Sequence, residues 1–359
     1  MLNYAAALCY FPKFSIGRGN RLLEAFPNPE EIWKTEIHEL ISIGIDPEIA
    51  NEFMAWREIA PVEKITRELI KLGIKTVSIS DPVYPKLLRE ISDPPAVLFY
   101  RGELPDTNLP LLSVVGTRRC TAYGKKVTED IVKELAEAGV GIVSGLAFGI
   151  DGIAHHTALK NGGKTFAVLG SGVDRPNVTP SSHQSLADEI LATGGGIISE
   201  YLPGLKPTAY SFQARNRIIA GLSMATLVTE APLTSGALIT AARCLDYNRD
   251  VLVIPHPINS LTGAGCNFFL KKGAQLITSA SDILEILHLE TLKTPKRERP
   301  LPKNITEEKI YAVIANGPKH IDEIIKLTQI SASSLTGTLT ILELEAKVKN
   351  LGGMTYQWA

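Results

Sequence analysis

A chain of 359 residues with 37 basic and 38 acidic side chains has a formal net charge of −1, so no bulk attraction to nucleic acid is implied and any anion site must be local. Its 45% hydrophobic content supports a sizeable core and argues against disorder, and the length predicts two or three domains. The cysteines Cys9, Cys120, Cys244 and Cys266 form no C-x-x-C pair, the start "MLNYAAALCYFPKFS" lacks the pattern of a signal peptide, and no window approaches the roughly 18 apolar residues of a membrane span. A soluble protein of a reducing cytoplasm, without structural zinc, is expected.

Residues 1–65 read as short helices, with "NRLLEAF", "PEEIWK", "IHELISI" and "PEIANEFMAW" placing apolar residues at helical spacing between Pro27, Pro29, Gly44 and Pro47. The piece "ELISIGIDPEIANEF" has the order of a helix-hairpin-helix, whose turn can present N–H groups to phosphates. This turn carries no basic residue, so a small packing domain is the simpler expectation. A proline-rich connector over 66–110 follows, ending in a strand at Val97–Tyr100.

From Leu111 to residue 288 the texture changes. The runs "LLSVVG", "GIVSG", "TFAVLG", "GIISEY", "ATLVTEA", "DVLVIP" and "AQLITS" are short, unbroken and β-branched, as strands buried on both faces should be. Helical patterns alternate with them, including "YGKKVTEDIVKELAEAG", "IDGIAHHTALKNGG", "QSLADEILATGG", "RNRIIAGLS" and "GALITAARCLDYN". This βαβ alternation predicts an α/β, doubly wound, mostly parallel sheet. A charged linker over 289–304 precedes a tail, 305–359, that reads helix, helix, helix and hairpin, the order of a winged helix. Its third helix, "SASSLTGTLTILELEA", is poor in positive charge, which favours packing or protein contact over groove reading.

In an open parallel sheet, ligands bind outside the carboxyl ends of the strands. The first such end holds Gly116, Thr117 and Arg118 in a run free of acids as far as Lys126. The second, "SGLAFGIDGIAHH", offers Gly145, Ala147 and Gly149 as a floor where backbone can approach an anion, beside a helix N-terminus. Further on, Phe212, Arg215, Asn216 and Arg217 lie in an acid-free stretch with Lys206 and Tyr210, Ser235 and Gly236 open a helix, and Asn267 and Lys271 sit on an expected Gly-rich loop. Cations interleaved with aromatics suit single-stranded nucleic acid, which needs charge for phosphates and flat faces for bases. Arg119, Lys126, Arg243 and Arg249 are expected instead to salt-bridge neighbouring helices.

Other chemistries find less support. The G-x-G-x-x-G fingerprint, a Walker lysine loop and a G-x-S-x-G elbow are missing from the expected places. His155 and His156 would point about 100° apart on a helix, so packing is expected for both and no metal or cofactor is implied. Asp151 reads as a helix cap, although Asp151, Glu200 and Glu230 could meet at the rim as acid–base groups.

At "SVVGTRR", "VSGLAFGIDGIAH", "AVLGSGVD", "RNRIIAGLS", "TEA…SGALITA", "VIPHP" and "GCNFFLKKGAQLITSASDIL" the sequence resembles the DNA-processing protein A (DprA, or Smf) family. The resemblance implies a Rossmann-like domain that binds single-stranded DNA, with a helix-hairpin-helix or SAM-like domain in front and a winged helix behind. It implies a cytoplasmic homodimer that loads the RecA recombinase in natural transformation, without catalytic residues. By family position Gly116, Thr117 and Arg118 should hold a phosphate, Phe212, Arg215, Asn216 and Arg217 should line the groove, and Ser235, Gly236, Asn267 and Lys271 should complete it. Two departures stand out: Gln213 replaces a proline, and Thr179-Pro180 stands for Tyr-Pro. The competing expectation is a nucleotide-processing enzyme of the lysine-decarboxylase-like phosphoribohydrolase type, whose P-G-G-x-G-T-x-x-E signature is missing.

Overall fold

The computed structural model describes residues 2–289, 302–315, 317–345 and 347–358. The chain divides into two units, Met1–Thr294 and Pro295–Ala359, and most of the expected linker (290–301) lies outside the described residues.

Six helices open the first unit: α1 (Tyr4–Cys9), α2 (Ile16–Ala25), α3 (Pro29–Ile32), α4 (Ile37–Ser42), α5 (Pro47–Ile59) and α6 (Val62–Lys71). Polar caps and prolines start them; Asp46 accepts from the N–H groups of Glu48 and Ile49 ahead of α5. Their core is aromatic, with Phe11, Trp33, Phe53 and Trp56 in mutual contact. The α4–α5 turn needs Gly44 at φ +84°, and Arg21 Nη1 reaches in from α2 to donate to the Gly44 carbonyl at 2.7 Å. These helices are tied to the sheet that follows: Asn3 Nδ2 donates to Thr76 Oγ1 at 2.7 Å and Asn20 Nδ2 to Pro94 O at 2.9 Å.

The sheet has nine strands: β1 (Lys75–Ser78), β2 (Val97–Gly102), β3 (Leu111–Val115), β4 (Gly141–Ser144), β5 (Thr165–Val168), β6 (Gly196–Ser199), β7 (Ala225–Val228), β8 (Asp250–Val253) and β9 (Gln275–Leu276), in the order β1-β2-β6-β5-β4-β3-β7-β8-β9. Pairings from β6 to β9 along this order are parallel, while β2 joins β6, and β1 joins β2, antiparallel. All seven expected runs are strands. The connector contributes more than expected, since its β1 and β2 extend the sheet.

Side chains alternate between two cores, as pleating requires. Leu112, Val114, Ile142, Leu227 and Leu252 belong to one, and Leu111, Val115, Val143, Val228 and Val253 to the other. Helix α7 (Lys86–Arg89) precedes β2. The crossovers are α8 (Ala122–Glu137), α9 (Ile150–Lys160), α10 (Gln184–Ala192), α11 (Ala209–Leu222), α12 (Ala237–Asp246) and α13 (Ala264–Lys271), with α14 (Ala280–Ile286) closing the unit. Strands β4 to β6 are laid out to one side of β3 and β7 to β9 to the other, so the crossovers diverge between β3 and β7. That divergence opens a crevice at the carboxyl ends.

The second unit is a winged helix. Helices α15 (Ile305–Ile314), α16 (Ile321–Thr328) and α17 (Ala332–Leu344) carry a small antiparallel sheet of β10 (Lys319–His320), β11 (Val348–Asn350) and β12 (Thr355–Trp358). Ile310, Ile314, Ile324, Leu335, Leu339 and Tyr356 form its separate core.

Candidate functional site

A cleft of about 690 Å³ lies where the β3 and β7 crossovers part. Four segments wall it: Val115–Arg119 after β3, Ala147 and Asp151 after β4, Pro207–Ile219 around the start of α11, and Pro232–Thr240 after β7. The β3 loop is pinned from below, because Thr117 N–H donates to Glu230 O at 2.7 Å and Thr117 O accepts from Ile150 N at 3.2 Å. A Cβ on Gly116 would come within 2.4 Å of the Ile150 side chain, so glycine is required for this fit.

Helix α11 supplies the opposite wall. Thr208 caps it in a reciprocal pair with Ser211, which fixes its first turn at the cleft mouth. Phe212, Asn216 and Ile219 then follow at helical spacing on the cleft face, with Arg215 beside them. The Arg118 guanidinium sits 5.5 Å from the Phe212 ring centroid, a cation over an aromatic face. Arg118 and Arg119 are both exposed.

Beneath this surface lie two buried charged groups, Arg215 and Asp151, each bonded to backbone. Arg215 is 4% exposed, and its Nη1 donates to Gly145 O at 2.8 Å and to Val168 O. Burial lowers its pKa to about 10, with the Asp151 charge opposing that shift. Asp151 accepts from Gly145 N at 3.1 Å and Ala147 N at 3.4 Å; burial pushes its pKa up, and Arg215 and those N–H groups pull it back. Asp151 thus braces the β4 loop, while Gly149 stands at the N-cap of α9. The expected helix cap is corrected to a loop brace.

Nine of the expected site residues line the cleft: Gly116, Thr117, Arg118, Ala147, Phe212, Arg215, Asn216, Ser235 and Gly236. The remainder lie elsewhere. Gly145 and Gly149 do not leave room for a ligand, because protein occupies it: a Cβ on Gly145 would be 2.6 Å from the Arg215 guanidinium, and one on Gly149 would be 2.3 Å from Thr117 O. Arg217 is turned to Glu200, and its Nε lies 3.8 Å from Asp93, which ties α11 to β6 and to the segment before β2. Asn267 holds the loop after β8, accepting from His256 N at 3.2 Å and donating to His256 O at 3.0 Å. Lys271 is the exposed last residue of α13, which is a helix where a loop was expected.

The expected bridges to neighbouring helices are corrected: Lys126 pairs with Asp130 within α8 and Arg243 with Asp246 within α12, while Arg249 donates to the carbonyls of Leu87, Ala220, Gly221 and Ser223. Arg119 makes no ion pair among the described residues and lines the cleft, so its expected salt bridge is corrected. Its place in the same acid-free run as Arg118 was the available signal. The carboxylates do not converge: Asp151 serves the β4 loop, Glu200 serves Arg217, and buried Glu230 accepts from Thr121 N at 2.9 Å and Thr121 Oγ1 at 3.1 Å. His155 is buried against Thr165, while His156 is exposed rather than packed. Among the described residues, no group of three His, Cys, Asp or Glu could hold a metal, and no helix is long and apolar enough to cross a membrane.

Residues 75–288 match the family model described as DNA recombination-mediator protein A, and residues 294–354 match the DprA winged helix domain. The chain belongs to this family. Protein Smf of Synechocystis sp. is 34% identical, over 94% of this chain and 94% of its own length. The crystal structure of DNA processing protein A (DprA) from Streptococcus pneumoniae superposes with a TM-score of 0.64 at 37% identity, covering 74% of this chain and 92% of that one. A Helicobacter pylori DNA processing protein A structure, described by its single-stranded DNA binding mode, matches with a TM-score of 0.52 at 33% identity, over 60% of this chain and 95% of that one.

Proposed function

We propose that this chain binds single-stranded DNA in the β3/β7 cleft, as a cytoplasmic homodimer that delivers the strand to the RecA recombinase. The observation that carries the binding step is the Arg118 guanidinium over the Phe212 ring, with Arg119 beside it in the same cleft. Guanidinium groups neutralise phosphates and a ring offers a face to a base, whatever the sequence. The Helicobacter pylori relative, described as binding single-stranded DNA, supports the same reading. The recombinase step and the dimer rest on family membership.

The reading is of a binding protein rather than an enzyme. Among the described residues each candidate carboxylate is engaged by protein, Asp151 by the β4 loop, Glu200 by Arg217 and Glu230 by Thr121, which supports structural roles for them. Mobility-shift titrations with single-stranded and duplex oligonucleotides of one sequence test the proposal. Single strands should bind more tightly, and with about four to six phosphates neutralised the log–log salt slope should be roughly −3 to −4. Equal or tighter duplex binding would contradict it.

A further inference from the structure

Two exposed aromatic–histidine pairs stand on either side of the cleft at the carboxyl rim of the sheet. Phe148, in the loop after β4, is 50% exposed and meets His183 at 5.2 Å, nearly perpendicular to it. Tyr123, at the start of α8, is 47% exposed and meets His256, after β8, at 5.2 Å in the same arrangement. Each imidazole is fixed by backbone: His183 Nδ1 lies 2.9 Å from Leu146 O and His256 Nε2 lies 2.9 Å from Thr229 O. Glycine accommodates both rings, since a Cβ on Gly152 would come within 2.8 Å of His183 and one on Gly263 within 2.1 Å of His256. The Tyr123 hydroxyl is anchored too, on Pro255 O at 3.2 Å.

From this we infer that Phe148 and Tyr123 are stacking platforms that extend the single-strand path beyond the cleft, across the sheet in the order β4-β3-β7-β8. The inference rests on the cleft reading above. Each ring keeps about half its surface in solvent, open to a base, while its histidine partner is held by backbone. Rigid rings give up little conformational entropy when a base stacks on them. The span from β4 to β8 is three strand spacings, roughly 14 Å, and Arg118, in the loop after β3, falls within it in strand order. A few consecutive nucleotides can follow that line. A duplex, whose bases are already stacked on one another, gains nothing from it. The occupant is therefore a continuous single strand.

The test compares dT4 with dT20 by fluorescence anisotropy, using the full chain. The inference predicts that Phe148→Ala and Tyr123→Ala each weaken dT20 binding on the order of tenfold, the scale of one lost stacked base, and leave dT4 binding in the cleft within twofold. Phe148→Tyr and Tyr123→Phe, which keep the rings, should retain the dT20 affinity. If the alanine variants bind dT20 as the unaltered protein does, the track is wrong while the cleft reading stands. If the unaltered protein binds neither oligonucleotide, the cleft reading falls and takes the track with it.

Discussion

Arg118 and Phe212 face each other across the crevice between β3 and β7, with the guanidinium 5.5 Å from the ring centroid. One comes from the first crossover loop and the other from α11, 94 positions further along the chain. Arg118 is not needed to hold the fold: it is exposed, and its loop is fixed by the backbone bonds of Thr117.

Arg118→Ala should therefore weaken single-strand binding by about 1–3 kcal/mol, the range for a lost charge-assisted contact, with the thermal midpoint unchanged. Arg119→Ala should cost less, because Arg119 lies in the cleft without an aromatic partner among the described residues. Its main effect should be a salt slope shallower by about 0.7, as for one lost phosphate contact. Titrations at three salt concentrations check both expectations.

Arg217 should behave in the opposite way. With its side chain 5% exposed and that of Glu200 10% exposed, Arg217→Ala strands a buried carboxylate, and the expected loss of stability is about 3–5 kcal/mol. Urea unfolding of Arg217→Ala beside Arg118→Ala separates the scaffold role from the binding role.

Gly145→Ala tests whether that glycine serves the protein rather than the ligand. The added methyl would lie 2.6 Å from the buried Arg215 guanidinium. Overpacking of this kind costs about 1–3 kcal/mol. Urea unfolding should show that loss without DNA present; unchanged stability would contradict the assignment.

His155 gives a pH dependence with a definite sign. Thr165 Oγ1 donates to Ile142 O at 2.9 Å, so the 2.7 Å contact with His155 is donation from Nδ1–H, which leaves Nε2 buried without a proton. Burial lowers the imidazole pKa to about 3 from an ordinary 6.5. The unfolded chain thus takes up a proton between pH 6.5 and 3 that the folded chain refuses. The stability this histidine contributes is full above pH 6.5 and is lost at about 1.4 kcal/mol per pH unit below it. Unfolding curves of the unaltered protein and His155→Gln should converge as pH falls from 7 to 5. Parallel curves would contradict the burial of this ring.

The winged helix should be separable from single-strand binding. The side chains α17 exposes include Ser333, Thr336, Thr340, Ile341 and Leu344, which offer no cation to phosphate or base edge. Removing residues 290–359 should leave affinity within about tenfold, or roughly 1.4 kcal/mol. A larger loss, in a truncated protein that circular dichroism shows to be folded and light scattering shows to keep its oligomeric state, would place DNA binding partly on the tail.

The parallel sheet was legible because its strands are buried on both faces, and "LLSVV" or "GIVS" admits few other readings. Strand β1 was not, since four residues with an exposed Lys75 look like the connector around them. Helix α11 was expected only from Arg215, because its first turns, "AYSFQA", carry no apolar stripe and depend on the Thr208–Ser211 cap. The glycines were read as open floor because what fills the space at Gly145 is Arg215, 70 positions away. The divergence of Arg215 and Arg217 was within reach: residues two apart on a helix point about 200° from each other and cannot both face one groove.

The most direct measurement of the central claim is the fluorescence of a Phe212→Trp variant titrated with dT20, corrected for the signal of the unaltered protein. A base should stack on the new indole and quench its emission, with a midpoint at the Kd found by anisotropy. Full affinity with unchanged emission would show that the strand binds elsewhere and would contradict the assignment of the cleft.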